Sequence, residues 1–224
     1  MITKDLLDNS IQALDPSTTV ENALKRMNED EYNALPVIDE QDKKLLGFVR
    51  EEALEKRMPE ESGKPLSELE WEDIPGVTER QHLFEAARLM YHYNVMLLPV
   101  LDDNERVKGY IIKKYLQAAI NGMLNLGEYG SVITVEMMEK DYSLSQIVQL
   151  IETEGGKILG LTVETPGDQT DYFRVSIKLN IKDVTRVVAA LRRYEYLVTS
   201  ETWSEVLESD MQDRVGELLH FLDM

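Results

Sequence analysis

The chain has 224 residues, 24 basic and 42 acidic side chains and no cysteine. This predicts one large or two modest domains and excludes disulfides, thiolate nucleophiles and cysteine-ligated zinc. The formal net charge of −18 is divided equally between residues 1–124 and 125–224, so neither half offers the basic face that nucleic acid or an anionic membrane requires. No apolar run approaches the roughly 20 residues that cross a bilayer, and Met1–Asp5 opens no signal peptide. We therefore expect a cytoplasmic protein.

The first half of the chain contains one sequence pattern twice. Segments 20–27, 34–39 and 46–49 recur in the same order as 83–90, 97–102 and 108–111. The first two segments repeat at an offset of 63 residues and the third at an offset of 62. Three matched segments in one order predict two copies of the same structural unit.

Each copy has the pattern of a helix, two strands and a second helix. Thr18 and Glu21 have the spacing of a capping box, which predicts a helix that begins just before Val20. Strands are predicted over 35–38 and 45–49, and a second helix from Glu51 to about Met58. The second copy repeats this order and ends in a helix from Lys113 to about Leu124. A unit of about 60 residues has too little core to be stable alone, so we expect the copies to pack together.

These repeats resemble the cystathionine β-synthase (CBS) domain, a β-α-β-β-α unit that normally occurs in tandem pairs. The resemblance lies in the Leu-Pro-Val-Ile-Asp segment 35–39, the polar turn after it and the hydrophobic-Gly-hydrophobic strand, each present twice. It assigns residues 1–62 to a first CBS repeat and residues 63–126 to a second. It also implies that an adenosine nucleotide binds between the copies and that its binding is transmitted to an attached domain.

The sequence departs from the family where a nucleotide would be held. Nucleotide-binding members follow the glycine strand with Ser/Thr-x-x-Asp, and the Asp accepts hydrogen bonds from the ribose. The matching residues are Arg50 and Ala53 in the first copy, and Ile112 and Tyr115 in the second. Backbone and apolar contacts would then replace the missing carboxylate. We expect the residues at the strand starts and after the glycine strands to line the clefts: Ala34, Leu35, Pro36, Arg50, Leu98, Pro99, Ile112 and Lys113.

The second half of the chain has a different pattern. Strands are predicted over 131–138, 158–164, 172–178 and 196–200, with a turn at Pro166–Asp168. One helix is predicted from Leu144, Ile147, Val148 and Ile151, and another after Asp183. The resulting order βαββαβ is a ferredoxin-like layout, with two helices on one face of an antiparallel sheet.

This layout behind a CBS pair resembles an ACT domain over residues 130–202, and the whole chain is similar in architecture to the acetoin-utilisation accessory proteins. ACT domains often bind amino acids through a loop with a Pro-Gly pair, but here that loop is Asp141-Tyr142-Ser143. Residues 203–224 are predicted to form an amphipathic C-terminal helix that packs on its own domain or on a second copy, or binds a separate partner. The predicted fold class is α+β.

Catalytic and metal-binding motifs are missing from the sequence. The histidines His82, His92 and His220 have no metal-binding spacing, and no nucleophile elbow, phosphate loop or dinucleotide motif is present. We predict a non-catalytic sensor, a homodimer in which the CBS pair binds a small-molecule effector. The alternatives are a ligand-free scaffold for dimerisation and protein interaction, and an accessory subunit of an acetoin-pathway or other metabolic enzyme.

Overall fold

The computed structural model describes residues 1–165 and 171–203, the last four of these by their backbone only. The chain divides into two compact units, Met1–Ile120 and Asn121–Met224. The predicted turn at Pro166–Asp168 and, beyond Trp203, the predicted C-terminal helix lie outside the described residues. In the part of the chain that is described, no helix is long and apolar enough to cross a membrane.

The first unit contains the two predicted repeats. Short 3-10 helices at Thr3–Leu6 and Leu66–Glu68 precede the regular elements of each repeat. The first repeat comprises α1 (Val20–Asp30), β1 (Ala34–Ile38), β2 (Leu45–Arg50) and α2 (Glu51–Glu61). The second comprises β3 (Val77–Thr78), α3 (Leu83–His92), β4 (Leu97–Leu101), β5 (Val107–Ile112) and α4 (Lys113–Met123).

The two repeats have the same sheet plan. In the second repeat, β3 pairs with β4 in parallel and β4 pairs with β5 in antiparallel orientation. In the first repeat, β1 pairs with β2 in antiparallel orientation, and the place of β3 is taken by a single parallel bridge from Leu14 to Val37. The equivalent pair in the second repeat is Val77 and Val100, which are also paired in parallel. Each lies 63 residues after its counterpart, Leu14 or Val37. The predicted duplication of one α/β unit is confirmed.

Each repeat contributes its leading segment to the sheet of the other repeat. Asp8 and Tyr110 exchange two backbone hydrogen bonds of 2.8 Å, and Phe48 and Glu72 exchange two of 2.8 and 2.9 Å. Phe48 and Tyr110, which pair with the leading segments, each follow a glycine. A Cβ on Gly109 would lie 2.8 Å from the Asp8 carbonyl oxygen. The glycine of the repeated motif is therefore needed for the close approach of the other repeat.

One hydrophobic core joins the two repeats. Buried residues of the first repeat pack in the same cluster as Leu97, Tyr110 and Ile112 of the second. The apolar stripe predicted for α1 is confirmed, because Val20, Ala23, Leu24 and Met27 are all buried. The shared cluster supplies the core that one repeat of this length lacks.

The ends of two helices differ from the sequence prediction. The cap of α1 is Thr19, whose hydroxyl accepts a hydrogen bond from the Asn22 backbone N–H; the predicted cap Thr18 instead accepts one from Asp15. The α2 helix does not end at Met58 but continues through Pro59 to Glu61. Its final turn is held by the start of α1, because the backbone N–H of Glu21 donates to the carbonyl of Ser62.

Tyr110 is expected to make the first unit less stable as the pH rises above about 10. Its side chain is only 4% exposed, and burial raises the pKa of its hydroxyl to about 12. In the unfolded chain this pKa is about 10, so above that pH the unfolded state loses a proton that the folded state keeps. We expect the free energy of unfolding to fall by about 1.4 kcal/mol per pH unit between about pH 10 and 12.

Urea unfolding of the wild type and of Tyr110→Phe over this pH range measures the effect. The variant is expected to lose less stability than the wild type, since phenylalanine has no proton to release. The matched control is Tyr91→Phe, because the Tyr91 side chain is 89% exposed and its loss should leave the wild-type pH dependence unchanged. Parallel curves for the wild type and Tyr110→Phe would contradict the assignment.

The second unit has the predicted ferredoxin-like order. Its elements are β6 (Ser131–Met138), α5 (Leu144–Thr153), β7 (Ile158–Glu164), β8 (Tyr172–Leu179), α6 (Thr185–Arg193) and β9 (Leu197–Trp203). The strands lie in the order β7-β8-β6-β9, and every neighbouring pair is antiparallel. Both helices contribute to one hydrophobic core with β6 and β8. The predicted last strand 196–200 is instead Leu197–Trp203, and the α+β fold class with an ACT-like element order is confirmed.

Candidate functional site

The predicted ligand-binding residues fall into two groups in the structure. Arg50 and Ile112 are the last residues of the glycine strands β2 and β5, and Lys113 is the first residue of α4. All three line clefts at the starts of α2 and α4. The strand register places Ala34 opposite Arg50 and Leu98 opposite Ile111. Five of the eight residues are buried inside β1 and β4: Ala34, Leu35, Pro36, Leu98 and Pro99.

The first cleft, here called the arginine cleft, lies at the start of α2. It has a volume of about 440 Å³ and is lined by Arg50, Glu52, Ala53, Lys56, Arg57 and Glu72. Each basic side chain is engaged by a carboxylate, because Arg50 binds Glu72 at 2.7 Å, Lys56 binds Glu52 at 2.6 Å and Arg57 binds Glu61 at 3.0 Å. The positive charge in this cleft is therefore largely neutralised within the chain.

Arg50 also spans from the first repeat to the second. Its Nε donates to both carboxylate oxygens of Glu72, and its Nη2 donates to the Tyr93 carbonyl at 2.8 Å. Next to it, the side-chain amide of Asn33 donates to the Asn94 carbonyl at 2.6 Å, while its Oδ1 is buried and has no hydrogen-bond partner among the described residues. A ligand that takes the place of the Arg50 guanidinium would have to displace it from its hydrogen bonds to Glu72 and to the Tyr93 and Asn94 carbonyls.

The second cleft, here called the lysine cleft, lies at the start of α4. It has a volume of about 300 Å³ and is lined by Asp30, Glu31, Tyr32, Met96, Ile112, Lys113, Lys114 and Gln117. Tyr32, Met96 and Ile112 form an aromatic and apolar wall beside the two lysines. Within the described residues neither Lys113 nor Lys114 lies in an ion pair, and the Lys114 ammonium is 5.0 Å from the centre of the Tyr115 ring.

The two clefts occupy equivalent places in the two repeats. Ile112 follows Arg50 by the repeat offset of 62, and Met96 follows Asn33 by the offset of 63. Where the first cleft has a guanidinium that is bonded across to the other repeat, the second has the short apolar side chain of Ile112. The lysine cleft is therefore open at the position that Arg50 fills in the arginine cleft.

Tyr32 carries the aromatic surface of the lysine cleft. Its side chain is 8% exposed, and burial raises the pKa of its hydroxyl, with smaller contributions from the charges of Asp30 and Asp8 and from Tyr115. The ring is therefore a largely buried part of the cleft wall. Asp30 and Glu31 place negative charge on the same side of the cleft.

A comparison with protein families identifies the first unit. The model of the CBS domain matches residues 3–60 and 66–122, which together are just over half of the chain. The chain belongs to the CBS domain family. The two CBS matches coincide with the two structural repeats, so the clefts lie at the helix that follows the last strand of each CBS repeat.

Individual proteins that resemble the chain include both enzymes and isolated CBS pairs. Inosine-5′-monophosphate dehydrogenase of Aquifex aeolicus is 33% identical over 100 residues, which are 44% of this chain and 20% of that enzyme. The chain therefore spans only about a fifth of the length of this relative.

Solved structures of CBS proteins also resemble the chain. A CBS domain pair/ACT domain protein of Thermotoga maritima has a TM-score of 0.48 at 23% identity, over 55% of this chain and 99% of that one. The CBS-pair protein CBSX2 of Arabidopsis thaliana, solved in complex with AMP, has a TM-score of 0.45 at 25% identity, over 54% of this chain and 96% of that one.

Both positions that carry the ribose-binding Asp in nucleotide-binding CBS repeats are open to solvent here. Ala53 is exposed on α2, and Tyr115 is 45% exposed on α4. Neither side chain is a charged acceptor, so neither can bind the ribose hydroxyls as an Asp can. The positions are nevertheless free of packing constraints that would exclude a carboxylate.

Sequence reasoning missed several residues of these CBS clefts. Tyr32 and Met96 lie in the loops before β1 and β4, outside the repeated motifs, and Glu72 lies in the leading segment of the second repeat. The repeat could have pointed to Met96, because Met96 directly precedes the repeated segment 97–102, as Asn33 precedes segment 34–39. In residues 1–165 and 171–203, no group of three His, Asp or Glu side chains is placed to hold a metal ion.

Proposed function

We propose that this protein is a non-catalytic sensor whose CBS pair binds an adenosine nucleotide in the lysine cleft. The observation that carries the proposal is the composition of that cleft, where Tyr32, Met96 and Ile112 line the same space as Lys113 and Lys114, which lie in no ion pair among the described residues. Membership of the CBS family supports a regulatory role, and the chain spans only a fifth of the dehydrogenase that it resembles.

The two walls of the lysine cleft suit the two ends of a nucleotide. A purine ring stacks on aromatic side chains and packs on thioether and aliphatic groups. Lys113 and Lys114 provide ammonium groups for the phosphate. An ammonium is a compact charge, so it attracts a phosphate without requiring one particular orientation. The volume of about 300 Å³ is at the lower end of the range of small-molecule sites, which favours a monophosphate over a larger nucleotide.

Removal of the lysines should weaken phosphate binding without affecting the base. For Lys113→Ala and for Lys114→Ala, we expect the affinity for AMP to fall by about fivefold each, since one partly solvated charge pair contributes about 1 kcal/mol. The affinity for adenosine, which has no phosphate, should change by less than about twofold. Isothermal titration calorimetry of the full chain at low salt measures both.

Lys25→Ala is the matched control. Lys25 is an exposed lysine of α1 in an i,i+4 pair with Glu29 and does not line the lysine cleft, so its loss changes the net charge equally. If the Lys113 and Lys114 variants lose no more affinity for AMP than Lys25→Ala does, the phosphate is not bound by these lysines. If neither AMP nor adenosine binds at millimolar concentration, the nucleotide proposal is wrong.

A second candidate function is a ligand-free interaction scaffold or an accessory subunit of a metabolic enzyme. The arginine cleft favours it, because Arg50 is already bonded to Glu72 and to the Tyr93 carbonyl. Mass spectrometry of small molecules released from the purified protein separates the two functions. A copurified adenosine nucleotide supports the sensor, and protein without bound small molecules supports the scaffold.

The proposal includes a homodimer and a cytoplasmic location. Phe84 is 56% exposed on α3, where a second copy would cover it, and analytical ultracentrifugation would show whether the protein is a dimer. We also retain the predicted bounds of the repeats, 1–62 and 63–126, and of the ACT-like domain, 130–202, as part of this proposal.

A further inference from the structure

The second unit contains a cleft that is rich in tyrosine. It has a volume of about 560 Å³ and lies between the end of β6, the segment that leads into α5 and the turn between α6 and β9. Four tyrosines line it, with Met138 and Leu197 beside them: Tyr142, Tyr172, Tyr194 and Tyr196. We call it the tyrosine cleft.

Two of the four rings are fixed by their neighbours. Tyr196 is buried, and its hydroxyl donates to Gln146 Oε1 at 2.7 Å. The ring of Tyr142 packs against that of Phe173, with 5.0 Å between the ring centroids. Tyr194 is 56% exposed and Leu197 59% exposed, so the mouth of the cleft presents aromatic and apolar surface to solvent. A ligand would gain by covering this surface.

The charges that line the tyrosine cleft are mainly negative. Its ionisable side chains other than tyrosine are Glu136, Lys140, Asp141 and Glu195. Glu136 is neutralised by Arg174 at 3.0 Å, whereas neither Asp141 nor Glu195 lies in an ion pair within the described residues. Asp141 and Tyr196 line the same cleft; burial raises the pKa of Tyr196, and the negative charge of Asp141 adds to this shift.

We propose that the tyrosine cleft binds a small organic ammonium ion. A cation is attracted to the faces of aromatic rings, and here also to the carboxylates of Asp141 and Glu195, which line the same cleft. An amino acid is a poorer ligand, because its α-carboxylate would be repelled by Asp141 at the same loop. This site is in the second unit and is independent of the nucleotide proposed for the lysine cleft.

The charge of the ligand is tested with a matched pair of probes on the full chain. Choline carries a quaternary ammonium, and 3,3-dimethylbutan-1-ol has the same shape with a carbon in place of the nitrogen. We expect choline to bind at millimolar concentration. The affinity for the alcohol should be lower by about tenfold or more, as measured by ligand-observed NMR titration. Equal affinities for the two probes, or no binding of choline, would overturn the proposal.

The location of the site is tested with variants at exposed positions of the cleft. Tyr194→Leu removes the ring at the mouth and Asp141→Asn removes one charge, and each is expected to weaken choline binding by about three- to tenfold. Tyr91→Leu removes an exposed ring of α3 in the first unit and should leave choline binding unchanged. If Tyr194→Leu and Asp141→Asn both bind choline as the wild type does, the cation does not bind in the tyrosine cleft.

Discussion

Replacement of Gly109 by valine is expected to lower the free energy of unfolding of the first unit by about 3 kcal/mol or more. A Cβ at Gly109 would lie 2.8 Å from the Asp8 carbonyl oxygen, which is closer than the Cβ atoms of folded proteins approach an oxygen. Asp8 would have to move away and lose its two backbone hydrogen bonds to Tyr110. Each bond contributes about 1 kcal/mol, and more when its buried partner is left unsatisfied.

Gly63→Val is the matched control for this prediction. A Cβ on Gly63 meets no atom within 4 Å, so the same substitution should change the stability by less than about 0.5 kcal/mol. Urea unfolding followed by far-UV circular dichroism compares the two variants with the wild type. An unfolding midpoint of Gly109→Val equal to that of Gly63→Val would show that the leading segment does not depend on this glycine.

Replacement of Tyr115 by aspartate is expected to increase the affinity for AMP by about tenfold or more. The aspartate would stand at the ribose-binding position of the CBS motif, next to the lysine cleft. Hydrogen bonds to a charged acceptor contribute about 1.5 to 3 kcal/mol, which corresponds to about 10- to 100-fold in affinity. Because Tyr115 is 45% exposed, the new carboxylate would not be buried.

Three controls make this gain specific to the ribose. In Tyr115→Asn the new side chain has the size of aspartate without its charge, so the affinity for AMP should increase less than in Tyr115→Asp. Ala53→Asp places the same carboxylate in the arginine cleft, where Arg50 is already bonded to Glu72 and to the Tyr93 carbonyl, and should gain little. The gain of Tyr115→Asp should also be smaller for 2′-deoxy-AMP. An equal gain for AMP and 2′-deoxy-AMP would show that the aspartate does not bind the ribose diol.

Strands with regular alternation and clear breaks were predicted well from the sequence. The observed bounds of β6 and β7 are those predicted, 131–138 and 158–164, because glycines or polar residues stand at their ends. The predicted end of α2, about Met58, was too early, because hydrogen bonds from the start of α1 hold a further turn beyond Pro59. Tertiary contacts of that kind leave no trace in local sequence.

The clefts were predicted less completely than the fold. The motif pointed to Ile112 and Lys113, which lie where β5 ends and α4 begins and line the lysine cleft; their role in binding stays a prediction. It could not separate them from Leu35 and Leu98, since both faces of β1 and β4 are covered and alternation does not mark a solvent side. The contacts of Arg50 with Glu72 and Tyr93 join residues of different repeats, which no local pattern indicates.

The exchange of leading segments between the repeats also constrains how the chain folds during synthesis. The strand position of Asp8 is completed only by Tyr110, which leaves the ribosome after most of the first unit has been made. Pairings between such distant residues slow folding, because a long loop must close before the contact forms. The nascent first repeat therefore exposes an unpaired edge until the second repeat emerges, and this interval is when the chain is most open to aggregation or chaperone binding.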